Sequence, residues 1–217
     1  MNKELTKRIF SSIVLIPITL FFIVKGTLFF NFFLATCFVI TLYEWFMMSK
    51  NKNYNIFGYF FLIFSFYSAY FIRNELEKNS LFIFLFIILI CISTDIGGYV
   101  FGKIFKGPKL IKISPKKTYA GVFGGYFLSL ICILIYYNYS EIFYHSSVNF
   151  GKDEFFLVII ISTISQIGDI IVSYFKRLSK IKDTGKLIPG HGGILDRIDG
   201  IIFALPFYYI LYLIEIL

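Results

Sequence analysis

Charge is scarce in this sequence: 16% of its 217 residues are Asp, Glu, Lys or Arg, against 58% hydrophobic. A soluble domain carries about 25% charged and about 45–50% apolar residues, so an ordinary water-soluble globule is excluded. Cysteine is sparse as well. Cys37, Cys91 and Cys132 each stand alone inside an apolar run, with no C-x-x-C pairing. That excludes a disulfide framework and a thiolate zinc site, and leaves the three as small packing residues. A signal-peptide cleavage pattern is missing too. Lys3, Lys7 and Arg8 precede an apolar run from Ile9 to Val24, but Val24-Lys25-Gly26-Thr27 lacks the small residues that cleavage needs, so the run reads as a retained first span. No compact basic domain is present to hold nucleic acid, so the net charge of +8 does not indicate that partner.

What is present is a series of long apolar runs. A bilayer core of about 30 Å takes about 20 apolar residues per helical crossing. Seven candidate spans follow, at roughly 9–25, 27–48, 55–72, 81–101, 119–139, 153–175 and 200–217. The expected fold is all-α, a polytopic transmembrane helical bundle forming a single integral membrane domain over 1–217. Residues 1–80 supply N-terminal spans, and 81–217 the catalytic spans and cytoplasmic loops. The 29 Phe and 16 Tyr fit lipid-facing surface and interface anchors. With the N-terminus placed in the cytoplasm, seventeen of the 21 basic residues fall on that side, and Lys25, Arg73, Lys78 and Lys152 on the other. The loops 102–118 and 176–199 hold twelve of them, enough to attract anionic headgroups or a nucleoside triphosphate.

Ionised side chains within spans are expensive and usually face an interior or a wet cavity. Asp95 and Asp169 are two such residues. Ser162, Ser165, Gln166, Asp169, Ser173 and Lys176 recur at spacings of three and four, so they share one helix face. Serine and glutamine are commonly used to bridge helices; an ionised Asp is less well explained that way. Asp196 and Asp199 open the last span, three residues apart, and point roughly the same way on a helix. Helix capping is the ordinary alternative for Asp199. Carboxylate oxygens suit Mg²⁺, which also takes substrate phosphates as ligands, so Asp169 and Asp196 are candidate metal ligands.

Two loops carry further candidates. Gly97 to Lys103 reads G-x-x-x-x-G-K, but residue 104 is Ile where a P-loop has Ser or Thr, and the glycines lie inside a span. Gly98 and Gly102 instead fit close helix packing. Ser114-Pro115-Lys116-Lys117-Thr118, followed by Gly121, Gly124 and Gly125, offers point charges and close backbone approach to phosphates, although this loop taken alone favours the ordinary reading, a basic cytoplasmic flank followed by small packing residues. The second loop contains Lys176-Arg177, Lys182-Asp183, Pro189-Gly190-His191-Gly192-Gly193 and Asp196-Arg197-Ile198-Asp199.

That second stretch, begun at Ser173-Tyr174-Phe175, resembles the signature of the phosphatidate cytidylyltransferase (CDP-diacylglycerol synthase) family throughout its length. Gln166-Ile167-Gly168-Asp169, the Ser114–Thr118 stretch and Tyr43-Glu44 are similar to further family motifs. Two departures stand out: Ala120 occupies a position where the family usually has an acidic residue, and relatives can have more spans than seven. The resemblance implies transfer of CMP from CTP to phosphatidate, giving CDP-diacylglycerol and pyrophosphate in phospholipid biosynthesis. It also implies a divalent metal held by Asp169 and Asp196, often with a second cation, and a homodimer in the cell (inner) membrane with its site facing the cytoplasm. Lys176, Arg177 and Arg197 are then expected to contact phosphates beside the two metal ligands. Ser114, Lys116, Lys117, Thr118, Lys182, Asp183, His191, Gly192, Gly193, Asp199 and Asp95 are expected to bind substrate. Two rival readings are a CTP-dependent lipid-alcohol kinase and an ion-coupled transporter using Asp95 and Asp169. Against transport stands the glycine-rich cytoplasmic loop, since transport sites usually lie near the midplane.

Overall fold

The computed structural model describes residues 3–76, 79–110, 117–139, 150–188, 190 and 192–216; of residues 3–10 and 12 it describes only the helical backbone. Among these residues the chain is all-α. Helices α1 (Lys3–Lys25), α2 (Thr27–Ser49), α3 (Asn55–Asn74), α4 (Ser80–Phe105), α5 (Tyr119–Asn138) and α6 (Lys152–Leu178) are followed by a short turn of helix, α7 (Leu195–Ile198), and by α8 (Ile201–Leu213). Five of them, α2 to α6, are long and apolar enough to cross a membrane. The apolar stretches of α1 and α8, Ile13–Lys25 and Ile201–Leu213, are shorter. At 1.5 Å per residue, thirteen residues reach only about 20 Å. Residue 194 and residues 199–200 also have right-handed helical backbone, however, so α7 and α8 run almost continuously through Asp199 and Gly200.

Local chemistry sets the helix ends. Gly26, at φ 65°, divides α1 from α2. Lys106 and Gly107, at φ 54° and 89°, end α4. Asp153 and Glu154 stand in the first turn of α6 and Lys176 and Arg177 in its last, each matched to the helix dipole. Pro206 lies inside α8. It has no N–H to give the carbonyl four residues earlier, and that carbonyl, of Ile202, accepts instead from Ser65 Oγ at 2.7 Å. A hydroxyl on α3 thereby satisfies a backbone group that lipid could not.

Lipid tails are as apolar as Leu, so helices in a bilayer associate through close packing and hydrogen bonds. Both devices appear here. Gly97, Gly98 and Gly102 of α4 face Gly121 and Gly124 of α5 closely enough that a Cβ on Gly121 would stand 2.8 Å from the Gly98 carbonyl oxygen. The expected packing role of Gly98 and Gly102 is met. Gly121 and Gly124 share it, which agrees with the packing reading of that stretch. Thr94 Oγ1 donates to Ser162 Oγ at 2.8 Å, tying α4 to α6, and the Tyr126 hydroxyl pairs with Thr163 Oγ1 at 2.9 Å, tying α5 to α6. The buried interior includes Ile72, Ile87, Ile90, Ile133, Val158, Ile161 and Ala204, while residues such as Phe57, Phe60, Phe123 and Phe156 point outward, as a lipid-facing surface requires. The three cysteines are free thiols.

Candidate active site

The ends of α2, α4 and α6 and the starts of α3, α5 and α7 meet at one end of the bundle. Ser179 Oγ, just beyond α6, donates to the Met48 carbonyl at 2.7 Å and pairs with the Tyr54 hydroxyl at 2.9 Å. Charged side chains from α4, from the residues leading into α5, from α6 and from the α7 turn gather here.

The polar face of α6 runs toward this end, as its spacing requires. Ser162 and Ser165 are buried against neighbouring helices, Ser165 Oγ packing on Gly200 without a hydrogen-bond partner. One turn on, Asp169 Oδ2 pairs with Lys117 Nζ at 2.6 Å, and Oδ1 accepts from Ser173 Oγ at 3.3 Å. Lys117 comes from the residues leading into α5, so this ion pair joins α5 to α6. Asp95, an exposed residue of α4, lies within electrostatic reach of Asp169, Lys117 and Arg197.

Lys176 is buried at the end of α6 and holds the second cluster. Its ammonium sits 2.9 Å from Asp196 Oδ1 and 3.9 Å from Asp199 Oδ2, so the two aspartates do point the same way. Asp196 Oδ2 accepts from the backbone N–H groups of Thr184 at 2.8 Å and Gly193 at 3.0 Å. Burial would push the Asp196 carboxyl up, but the Lys176 ammonium and these amides outweigh it and hold it below the ordinary carboxylate range. Asp199 goes the other way. Burial, then the charge of Asp169 and more weakly of Asp95, push its carboxyl well above that range, against the pull of Lys176 and Lys117.

The loop between α6 and α7 is folded against the end of α2. Residues 188 and 192 form a tight antiparallel bridge, Ile188 N donating to the Gly192 carbonyl at 2.9 Å and Gly192 N to that of Ile188 at 3.2 Å. Gly192 has φ 88°, and a Cβ there would stand 2.7 Å from Asp196 Oδ2. Position 192 therefore needs glycine both for its backbone and for the carboxylate beside it. Glu44, at the end of α2, is buried against this loop: it accepts from Thr184 Oγ1 and from the N–H groups of Ile194 and Leu195 at 2.8–3.0 Å. Sequence reasoning assigns no role to Glu44 or Thr184; the only signal is the Tyr43-Glu44 likeness.

Among the other expected site residues, Thr118 is the N-cap of α5, its Oγ1 accepting from Gly121 N at 3.1 Å. Arg177 is exposed and donates from Nη1 to the Ile181 carbonyl at 3.1 Å, closing the end of α6. Lys182, Asp183 and Arg197 are exposed around the loop, and Gly193 is buried within it. Ser114, Lys116 and His191 lie outside the described residues.

The donors gathered here are carboxylate oxygens, the kind that a hard divalent cation takes. Asp95, Asp169 and Asp199 sense one another's charge, and Lys117 supplies positive charge directly on Asp169. Carboxylate oxygens that feel mutual repulsion favour a cation such as Mg²⁺, which completes its shell with water and phosphate oxygens. No three acidic, imidazole or thiol groups among the described residues form a cation-binding set by themselves. A site here would therefore draw on oxygens of a phosphate-bearing substrate.

The family model described as "Cytidylyltransferase family" matches residues 6–76 and 56–215. A protein named phosphatidate cytidylyltransferase from Rickettsia typhi (strain ATCC VR-144 / Wilmington) is 34% identical over 209 residues, 93% of this chain and 89% of that one. Its namesake from Rickettsia prowazekii (strain Madrid E) is 37% identical over 172 residues, 76% and 73% of the two chains. The Staphylococcus aureus (strain COL) protein of the same name is 40% identical over 141 residues, covering 63% of this chain and 51% of that protein. The matches span both halves of the chain and the whole charged end of the bundle, and the chain belongs to the cytidylyltransferase family.

Proposed function

We propose that this multi-pass protein is a phosphatidate cytidylyltransferase, joining CMP from CTP to phosphatidate with release of pyrophosphate. The observation that carries the reading is the pair of ion clusters at one end of the bundle, Lys117–Asp169 and Lys176–Asp196–Asp199. They unite the two loops whose residues resemble the family motifs. The family membership and the names of the relatives support it independently.

The chemistry asks for charge and position more than for a base. A phosphate oxygen of phosphatidate attacks the α-phosphorus of CTP, forming the new P–O–P link, and the bond to pyrophosphate breaks. The nucleophile is already an anion, so no proton has to be removed. Lys117, Lys176 and Arg197 supply positive charge for the incoming phosphates. Asp169 and Asp196 would hold Mg²⁺, with a second cation beside it, and the metal would supply charge neutralisation on the polyphosphate. Asp199, Asp183 and the loop glycines shape the nucleotide side, and Asp95 of α4 lies within electrostatic reach of Asp169 and Lys117. The acyl chains reach the site sideways from the bilayer. In this reading the chain crosses the cell membrane seven times, its N-terminus and charged end facing the cytoplasm, and it acts as a homodimer.

The test is purified protein with labelled CTP and phosphatidate, with and without Mg²⁺. The expected result is lipid-linked CMP that depends on the metal. A phosphorylated lipid alcohol, or no CTP-dependent product, would overturn the assignment.

A further inference from the structure

Glu44 stands apart from the clusters that the reaction uses. It belongs to α2, whose other contributions to this end of the bundle are packing and hydrogen bonds to Asn55 and Ser179. Its side chain is buried at 4% exposure, and it is the one charged residue of that helix. A carboxylate removed from water is costly unless its oxygens are well bonded. Here Oε1 accepts from Ile194 N at 3.0 Å, and Oε2 from Leu195 N at 2.8 Å and Thr184 Oγ1 at 3.0 Å. Ile194 and Leu195 begin the α7 turn, where N–H groups have no partner within the helix.

The surroundings are shaped to that carboxylate. A Cβ on Gly185 would stand 2.6 Å from Glu44 Oε1, and one on Gly193 would overlap both carboxylate oxygens and Thr184 Oγ1. Loop positions 184 and 193 also serve Asp196. Thr184 gives its hydroxyl to Glu44 and its N–H to Asp196, while Gly193 gives its N–H to Asp196 and its empty Cβ position to Glu44. Two carboxylates thus close opposite sides of one clamp around residues 184 and 193–195. One is rooted in a membrane helix and the other is held by Lys176.

We propose that Glu44 is a positioning residue: it latches the loop between α6 and α7 onto α2 and so fixes where Asp196 and Lys176 stand during cytidylyl transfer. This rests on the functional reading above for the reaction, but not for the latch. Glutamine at position 44 keeps the volume but has one acceptor oxygen. However its amide turns, an –NH₂ faces at least one N–H of Ile194 or Leu195. A shift of about 1 Å in a catalytic group can lower turnover about 100-fold.

Glu44→Gln, Thr184→Val, Thr184→Ser and the double variant Glu44→Gln/Thr184→Val are purified in one detergent. Each is measured for kcat and for KM toward CTP and phosphatidate, for heat inactivation, and for the rate of trypsin cleavage at the exposed Lys182 and Lys186. The expected pattern is a kcat about 10- to 100-fold lower in Glu44→Gln, with KM for phosphatidate and heat inactivation near wild type and faster cleavage in the loop. Thr184→Ser stays near wild type, Thr184→Val moves the same way as Glu44→Gln by less, and the double variant is no worse than Glu44→Gln alone. Wild-type cleavage rates in Glu44→Gln overturn the latch. Loosened cleavage with unchanged kcat overturns the positioning role, as does multiplicative loss in the double variant. A wild-type protein that makes no lipid-linked CMP overturns the functional reading instead, and the cleavage rates still judge the latch.

Discussion

The end of the bundle where α2, α4 and α6 finish and the end where they begin are built from different materials. At the first, the charged side chains of Lys117, Asp169, Lys176 and Asp196 meet with the carboxyl of Asp199, and a glycine-rich loop folds over a buried carboxylate. At the second, polar side chains staple helices together. Asn74 Nδ2 donates to Asn31 Oδ1 at 2.8 Å, Arg73 Nε to the Ile23 carbonyl at 2.9 Å, and the Tyr136 hydroxyl to the Phe82 carbonyl at 3.1 Å. Stacked and edge-on rings such as Phe82–Tyr136 and Phe30–Phe84 fill the space between. The staples satisfy backbone and amide groups that lipid would leave bare. Burying ions is a poor way to gain stability, so the charged end is explained by the phosphate chemistry proposed for it.

That contrast can be broken by substitution, and the largest effect is expected at Lys176. Lys176→Met leaves Asp196 and Asp199 buried without their ammonium. Loss of one partner from a buried pair costs about 3–5 kcal/mol. Lipid-linked CMP formation should fall below detection, with a clear drop in thermal stability in detergent; near-normal values for both would remove the cluster from the site. Asp169→Asn should separate the two properties. Its pair with Lys117 is partly exposed, so stability should change little, while CMP transfer falls about 100-fold, within the range seen when one charge-stabilising group is removed. Equal activity in this variant would show that the α5–α6 ion pair is only a staple.

Smaller effects should come from the framework. Gly97→Val places side-chain atoms against the Gly124 carbonyl. Overpacking of this kind costs about 1–3 kcal/mol, to be read as a lower unfolding midpoint with activity lost in proportion to folded protein. Thr118→Val removes the cap of α5, worth about 1 kcal/mol, and displaces neighbouring Lys117, so a modest loss of activity should accompany it. Asn74→Leu at the opposite end should cost least. Side-chain hydrogen bonds between membrane helices average about 0.6 kcal/mol, and CMP transfer per folded molecule should be unchanged. If Asn74→Leu lowered kcat as Asp169→Asn does, the division between the two ends would be wrong.

Much of the charged end is legible in the order of the residues. The α6 stripe can be read because residues three and four apart must share a helix face, and the fold puts Ser162, Asp169, Ser173 and Lys176 to use on that face. The glycines of α4 are legible as a packing surface, and those of α5 as either packing residues or phosphate contacts, because nothing in the sequence tells which helix they meet. Thr118 looks like a substrate ligand, although a threonine placed just before an apolar run is also an ordinary helix start. Glu44 is nearly invisible: a lone acid at the end of a span, with partners 140 to 151 residues further on.

Run length and hydropathy alone dictate that the chain is helical and lives in lipid, because both answer directly to bilayer thickness and to the need to satisfy every backbone group. The order of the residues also says which of them carry charge. The pairing came from the folded arrangement: Lys117 with Asp169, Lys176 with Asp196 and Asp199, Glu44 with the loop. Such contacts depend on which helices lie side by side and in what rotation. Those are set by the shapes of whole helix faces, which no local stretch of sequence contains.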